Sequence, residues 1–193
     1  MDDQQLREII LQEILFPSLS LLYKVDYDNI RFGVSERNIC ARLAHHMENI
    51  MRSYDERNRT GLFHAYYADV EYNRMGNGDL KHYENSEHRD AYMVSDLLIH
   101  SRGEPRNYLA VEMKRSRNPQ KAKSDKDRLK SMVSSSCSYE EFTSRVRDTL
   151  VGAFIVYTKR GVQIDLFKNV DGQGTECGSV FFEYSLALGL RIL

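Results

Sequence analysis

The chain has 193 residues, 41% of them hydrophobic, and a formal net charge of -1 at pH 7. This length predicts one domain with a sizeable core, and the charge excludes a protein that coats nucleic acid through its bulk charge. Polyanion binding would therefore need a local basic patch. The N-terminus lacks the basic start and apolar run of a signal peptide, and no stretch approaches the roughly 18 apolar residues of a membrane span, so we expect a cytoplasmic protein. Three cysteines without a Cys-x-x-Cys pair indicate neither a disulfide framework nor a zinc cluster.

Two helices are predicted in the first third of the chain. Residues 6–22 carry Leu and Ile near helical spacing until Pro17 interrupts the pattern, which predicts an accessory N-terminal helix within residues 1–30. A second helix is predicted to start with Ser35 as its N-cap and to run to about Tyr54. Its apolar stripe consists of Ile39, Cys40, Leu43, Met47, Ile50 and Met51.

Three short strands follow, at residues 64–73, 92–100 and 108–114, where β-branched, aromatic and apolar residues predominate. The polar segment 74–91 is predicted to be a loop. Gly103 and Pro105 mark a turn between the last two strands, which predicts a β-hairpin.

The second half of the chain is predicted to add two helices, two strands and an apolar C-terminal run. In chain order these are a basic helix through about residue 133, a helix at 139–149, strands at 152–158 and 161–167, a glycine-containing loop at 171–179 and the apolar run at 180–193. The order of helices and strands predicts one α/β or α+β domain over residues 1–193, with its core at about 31–167 and a C-terminal addition at 168–193.

Charged residues interrupt the last two of these predicted strands, at 92–100 and 108–114, at three positions. A carboxylate in a buried strand costs several kcal/mol unless something pairs with it. Glu112 and Lys114 are two residues apart, so their side chains point to the same face of a strand. If the turn is centred on Glu104, antiparallel pairing puts Asp96 opposite Glu112, with Cβ atoms about 4.5–5.5 Å apart.

Two such carboxylates repel each other, and a hard divalent cation such as Mg²⁺ would remove the repulsion. Lys114 beside them could orient or activate a water molecule and stabilise charge on a phosphate. The alternative is an ordinary Asp–Lys or Glu–Lys ion pair on a solvent-exposed face of the sheet. Spacing and register alone leave both interpretations open.

The motif around these residues resembles that of a known superfamily. Asp96 followed by Glu112-Met113-Lys114 is similar to the D-x(n)-ExK signature of the PD-(D/E)XK, or restriction-endonuclease-like, nucleases. The segments 95–103 (SDLLIHSRG) and 107–116 (NYLAVEMKRS) resemble the "PDIIVHRRG…NLLVIEIKKS" pattern of its small bacterial members. Ser95 replaces the usual proline, a departure that the superfamily tolerates.

Further similarities extend the resemblance over residues 31 to 167. They are the first core helix (Ser35-Glu36-Arg37 and Arg42-Leu43-Ala44), the strand motif D-x-EYNR (Asp69 to Arg74) and the helix motif D-x-x-KL (Asp125 to Leu129). The resemblance implies an αβββαβ core in which Asp96 and Glu112 bind Mg²⁺, or Mn²⁺ in its place, and Lys114 assists the attacking water. It also implies that Glu36 joins the metal shell, although a first-turn glutamate more commonly just complements the helix dipole. Glu71 and Arg74 would line the cleft, with Glu71 as an auxiliary ligand.

A basic patch follows the motif. Residues 114–130 contain eight Lys or Arg against two Asp, which places cations where phosphates near a metal would lie. Besides Arg74, the residues predicted to bind nucleic acid are Arg115, Arg117, Lys121 and Lys123. The sequence thus predicts a Mg²⁺-dependent nuclease acting on DNA, as a homodimer or with a partner protein that supplies specificity. The alternative is a catalytically silent module of the same fold that binds nucleic acid or protein.

Overall fold

The computed structural model describes residues 1–72, 82–84, 90–92, 94–101, 106–115, 119–134 and 149–192. The helices are α1 (Asp3–Ile9), a π-helical segment (Ile10–Leu15), α2 (Phe16–Val25), α3 (Tyr27–Phe32), α4 (Glu36–Asn58) and α5 (Pro119–Val133). The strands are β1 (Tyr66–Val70), β2 (His82–Glu84), β3 (Asp90–Tyr92), β4 (Leu97–Ser101), β5 (Asn107–Lys114), β6 (Thr149–Thr158), β7 (Gly161–Val170), β8 (Gln173–Ser185) and β9 (Gly189–Ile192). None of the helices in these described segments is long and apolar enough to cross a membrane.

The predicted N-terminal helix is present and continues past Pro17. The π-helical segment ends just before this proline, and the Phe16 N–H donates to the Leu11 carbonyl five residues back. Proline lacks an N–H and its ring crowds the carbonyl four residues back, so it is best accommodated in the first turn of a helix. The wider π turn lets α2 begin afresh at Phe16, so the helical path continues to Val25.

Helix α4 begins and ends with local capping features. Ser35 is the N-cap, as predicted, and its Oγ accepts from the Asn38 N–H at 3.3 Å. The helix continues four residues beyond the predicted end at Tyr54, and Arg59 closes it in the left-handed conformation at φ 53°. Its predicted apolar stripe faces the core.

Seven strands form one mixed sheet in the order β1-β4-β5-β6-β7-β8-β9. Strands β5 and β6 are parallel, and every other neighbouring pair is antiparallel. A parallel pair needs a crossover connection, and α5 lies between β5 and β6 in the sequence. The prediction of a mixed α and β domain is therefore confirmed at this level.

Two predicted loops were wrong in part. The segment 171–179 belongs mostly to β8, and only Asp171 and Gly172 form a turn. Gly174 serves close packing here, because a Cβ at that position would lie 1.9 Å from the Lys130 carbonyl oxygen of α5. In the predicted loop 74–91, strands β2 and β3 pair as a small separate sheet.

One predicted helix falls largely on residues that the structure does not describe. Its residues 139–148 lie outside the described part of the chain, and Thr149 already belongs to β6. Strands β6 and β7 lie where the sequence predicted them.

The two faces of the sheet pack against different helices. Leu97, Ile99, Leu109, Val111 and Met113 join a large core with the N-terminal helices and α4. Leu98, Ala110 and Phe154 join a smaller core with Leu129 and its neighbours on α5. Because side chains alternate along a strand, Glu112 faces α5.

Candidate functional site

Asp96 and Glu112 meet at one end of the β4–β5 hairpin. The structure pairs Leu97 with Val111, Leu98 with Ala110 and Ile99 with Leu109, which is the register that the sequence predicted. The turn residues 102–105 lie outside the described part of the chain. Asp96 directly precedes β4, and Glu112 lies on β5 just beyond Val111, the last β5 residue that pairs with β4.

The Asp96 carboxylate is anchored to the neighbouring strand. Its Oδ2 accepts a hydrogen bond from the Met113 N–H at 2.7 Å and lies 3.5 Å from Lys114 Nζ. Its side chain is 30% exposed. Asp96 therefore stands at the edge of the cluster, where one face of the carboxylate can meet solvent or a substrate.

Glu112 is completely buried, and it is paired with an arginine that the sequence did not predict to be part of the site. Arg128 of α5 donates from Nε to Oε1 at 2.6 Å and from Nη2 to Oε2 at 3.0 Å, so both carboxylate oxygens are engaged. Burial raises the pKa of Glu112 to about 8, and the charges of Asp96 and Asp125 add to the rise, while Arg128 opposes it. Glu112 is therefore not part of an ion pair on a solvent-exposed face of the sheet, which was the alternative interpretation of the sequence.

Lys114 lies among three carboxylates. Its Nζ is 3.5 Å from Asp96 Oδ2, 3.5 Å from Asp125 Oδ2 and 3.9 Å from Glu36 Oε2. Burial alone would lower the pKa of Lys114, but the surrounding carboxylates raise it above its ordinary value. Lys114 is therefore a protonated amine at neutral pH, suited to donating hydrogen bonds and stabilising negative charge.

Glu36 connects the start of α4 to the end of β5. Its Oε1 accepts from the Arg115 N–H at 2.9 Å, and its side chain is 44% exposed. A carboxylate in the first helical turn is stabilised by the helix dipole, as the commoner interpretation predicted. The same carboxylate also comes within ion-pairing distance of Lys114, so Glu36 belongs to the cluster.

Glu71 lies beside the cluster, but its carboxylate pairs outside it. Its N–H donates to the Asp96 carbonyl at 3.2 Å, while its Oε2 pairs with Arg37 of α4 at 3.1 Å. Glu71 adopts a left-handed φ of 53°, so the extended conformation of β1 ends at Val70, just before it. Asp69 instead pairs with the buried His100, whose Nε2 lies 2.8 Å from Asp69 Oδ2.

Only some residues predicted to bind nucleic acid can be located. Lys123 and Arg115 are exposed, and the Arg115 guanidinium lies against Gly33, where it occupies the space that a Cβ would fill. Arg74, Arg117 and the side chain of Lys121 lie outside the described residues. Within the predicted basic patch, Lys126 is engaged in an ion pair with Asp165 at 2.8 Å.

The sequence did not predict that Asp125 and Arg128 are part of the site. They are three residues apart on α5, and Arg128 Nη2 lies 2.6 Å from Asp125 Oδ1. The signal was available in the sequence, because Asp125 and the apolar Leu129 are four residues apart and so share a helix face. A buried face that carries one acidic residue predicts a charged partner across the interface.

The donor set suits a divalent cation in charge and in ligand type. Four carboxylates (Glu36, Asp96, Glu112 and Asp125) surround two cationic side chains, so a hard cation would offset the excess negative charge. Asp125 Oδ2 is buried without a hydrogen bond among the described residues. As arranged, however, no three acidic, His or Cys side chains within the described segments form a group that could hold a metal ion, and Glu112 is held by Arg128.

The chain was compared with protein-family models, curated proteins and solved structures, and none of the three comparisons gave a match. Membership of the PD-(D/E)XK superfamily therefore stays a prediction from the sequence motifs.

Proposed function

We propose that this protein is a Mg²⁺-dependent nuclease that hydrolyses phosphodiester bonds, with DNA as its substrate. The observation that carries the proposal is the placement of Lys114 among Asp96, Glu36 and Asp125, beside the buried Glu112. A protonated lysine within 4 Å of several carboxylates is an arrangement suited to metal-assisted phosphodiester hydrolysis. Apart from β2 and β3, which pair as a separate sheet between β1 and β4 in the chain, the element order α4, β1, β4, β5, α5, β6 supports a restriction-endonuclease-like αβββαβ core.

Asp96, Glu112 and Glu36 would hold the metal in this proposal. When bound, Mg²⁺ or Mn²⁺ supplies a Lewis acid and lowers the pKa of water. Asp96 is kept in position by the Met113 N–H, and Glu36 by the Arg115 N–H. Lys114 orients the attacking water and donates hydrogen bonds to the phosphate oxygens as negative charge develops on them.

Water attacks phosphorus in this reaction and loses a proton to the solvent, the bond to the leaving oxygen breaks, and that oxygen takes up a proton from the solvent. Because its pKa is raised, Lys114 keeps its own proton at neutral pH and acts through its charge. Glu71 has a supporting role, since its backbone N–H holds the Asp96 carbonyl.

The exposed cations Arg115 and Lys123 would contact the phosphates that flank the cleaved bond. Arg115 directly follows the ExK motif in the sequence, and Lys123 lies on α5. Both therefore add positive charge after the motif. We place the activity in the cytoplasm. A homodimer, or a partner protein, would supply the specificity that a single domain of this size has little room to encode.

A cleavage assay tests the proposal. Plasmid and single-stranded DNA are incubated with Mg²⁺ or Mn²⁺ and wild type, Glu112→Ala or Lys114→Ala, and both variants should lose cleavage by about 100-fold or more. Arg52→Ala is the matched control, because Arg52 forms an exposed pair with Glu48 about 24 Å along α4 from Glu36. Undiminished cleavage by both variants would contradict the site.

A specific observation favours the second candidate, a catalytically silent module that binds nucleic acid or protein. Arg128 donates hydrogen bonds to both oxygens of Glu112, so both oxygens have a partner without a metal. DNA binding without cleavage by any form, over a panel of single- and double-stranded DNA and RNA, would favour this candidate over the nuclease.

A further inference from the structure

Arg128 is the one described cation that contacts Glu112 directly. It lies on α5 one residue before the buried Leu129, and its side chain is 18% exposed. The guanidinium reaches Glu112 with two nitrogens and Asp125 with one of the same two. This fork-like contact is the strongest geometry that an arginine and a carboxylate form.

A metal ion and this guanidinium compete for the same oxygens. Glu112 has only two carboxylate oxygens, and Arg128 engages both, at 2.6 and 3.0 Å. A cation that approached Glu112 with Arg128 in place would also meet a positive charge a few ångströms away. Each carboxylate oxygen keeps a second lone pair, but the charge and the two hydrogen bonds of the guanidinium oppose binding of a divalent ion to Glu112 while Arg128 stays in place.

Asp125 offers a second position for the guanidinium. Its Oδ1 already accepts from Arg128 Nη2 at 2.6 Å, and its Oδ2 is buried without a hydrogen bond, although Lys114 Nζ lies 3.5 Å from it. A rotation about Asp125 would let Arg128 engage both oxygens of that carboxylate. The cost of leaving Glu112 would then be partly offset by the unsatisfied acceptor.

We propose that Arg128 is a built-in competitor for the metal, which holds Glu112 while no metal is bound and moves onto Asp125 when a divalent cation binds. This inference rests on the proposed function. Arg128 thereby weakens metal binding and keeps the buried carboxylate compensated between catalytic cycles. Its effect is on metal affinity, which can be measured without substrate.

The test is a titration of metal-free protein with Mn²⁺, followed by calorimetry and by the paramagnetic signal of the free ion. Arg128→Met keeps the apolar stem of the side chain and should bind Mn²⁺ about tenfold or more tightly than wild type, because no contact between the guanidinium and Glu112 must be broken. Lys130→Met is the matched control, since it removes one positive charge from the same helix two residues away. Its affinity should stay within about twofold of wild type.

Equal or weaker Mn²⁺ binding by Arg128→Met overturns the inference. If that variant does not fold, Arg128→Lys carries the test, because one amine cannot hold both Glu112 oxygens and Asp125 together. Its affinity should rise by about threefold or more, and an unchanged affinity overturns the inference.

A separate variant distinguishes failure of the proposed function. If Glu112→Ala binds Mn²⁺ as tightly as wild type does, the metal site itself is wrong. If Glu112→Ala abolishes binding while the Arg128 variants match wild type, the site stands and only the role of Arg128 fails.

Discussion

Replacing Glu112 by glutamine should change how the stability of the protein depends on pH. The glutamine keeps the volume and one hydrogen-bond acceptor for Arg128 but cannot ionise. In the wild type, burial raises the pKa of Glu112 from 4.5 to about 8. The wild type and the Glu112→Gln variant therefore differ in a single ionisable group, the Glu112 carboxyl.

The direction follows from proton binding in the two states. Below pH 4.5 Glu112 is protonated in the folded and the unfolded chain, so its contribution to stability is fully present. Between pH 4.5 and about 8 only the folded chain keeps the proton, so rising pH favours the unfolded state. Above about pH 8 the carboxyl is ionised in both states, and the contribution has been lost.

The magnitude is set by the separation of the two pKa values. At about 1.4 kcal/mol for each pH unit, the full loss is on the order of 5 kcal/mol, and the part between pH 5.5 and 7.5 is about 2–3 kcal/mol. Many other groups titrate over this range in both proteins. The difference between wild type and Glu112→Gln isolates the single carboxyl.

Urea unfolding in the presence of a chelator, at half-unit steps from pH 5.5 to 8.5, measures this difference. The free energy of unfolding of the variant should rise relative to that of the wild type as the pH rises, by about 3 kcal/mol or more over the whole range. A difference that stays constant across the range would refute the argument that burial dominates the ionisation of Glu112.

Three further predictions concern the scaffold. The nearly buried carboxylate of Asp26 lies 2.8 Å from Arg42 and 2.6 Å from His46. Asp26→Asn weakens both contacts and should lower the free energy of unfolding, measured in urea at pH 7, by about 2 kcal/mol. A free energy within error of wild type would show that the pair contributes nothing. Gly174→Ala should cost about 1–3 kcal/mol, because its Cβ would collide with a backbone carbonyl of α5. Gly61→Ala is the control, since its Cβ meets nothing closer than 4.0 Å, and equal losses in the two variants would contradict the packing explanation. Burial raises the thiol pKa of both Cys177 and Cys40, but Cys177 is exposed and should react with iodoacetamide in the native protein, whereas Cys40 is buried and should react only after unfolding. Mass spectrometry of the labelled peptides checks this, and rapid native labelling of Cys40 would contradict it.

Local patterns predicted much of the fold. The Ser35 cap and the apolar stripe located α4, and the Gly103 and Pro105 turn led to the correct register of β4 against β5. These features depend on neighbours in sequence, so the sequence carries them directly. The loop predicted around Gly174 failed because the reason for that glycine, the nearby carbonyl of α5, lies more than 40 residues away.

The sequence also predicted part of the candidate site. Parity and register placed Asp96, Glu112 and Lys114 together, because all three lie on one hairpin. The role of Arg128 was not predicted, because a basic residue in a basic stretch predicts a solvated helix face. Only tertiary packing turns this side chain towards Glu112. The inward direction of one cation among many cannot be determined from charge alone.

The site closes only when distant parts of the chain come together. The β4–β5 hairpin can form from local contacts, whereas the parallel β5–β6 pair and the contact of Glu36 with Arg115 require closure of a long loop, which is slow and costly in entropy. Arg128 reaches Glu112 from α5, which is 16 residues away in the sequence, so the buried carboxylate gains this partner when α5 packs against β5. A partial opening that releases α5 would expose Glu112 again without unfolding the hairpin, and hydrogen exchange should therefore show β5 better protected than α5.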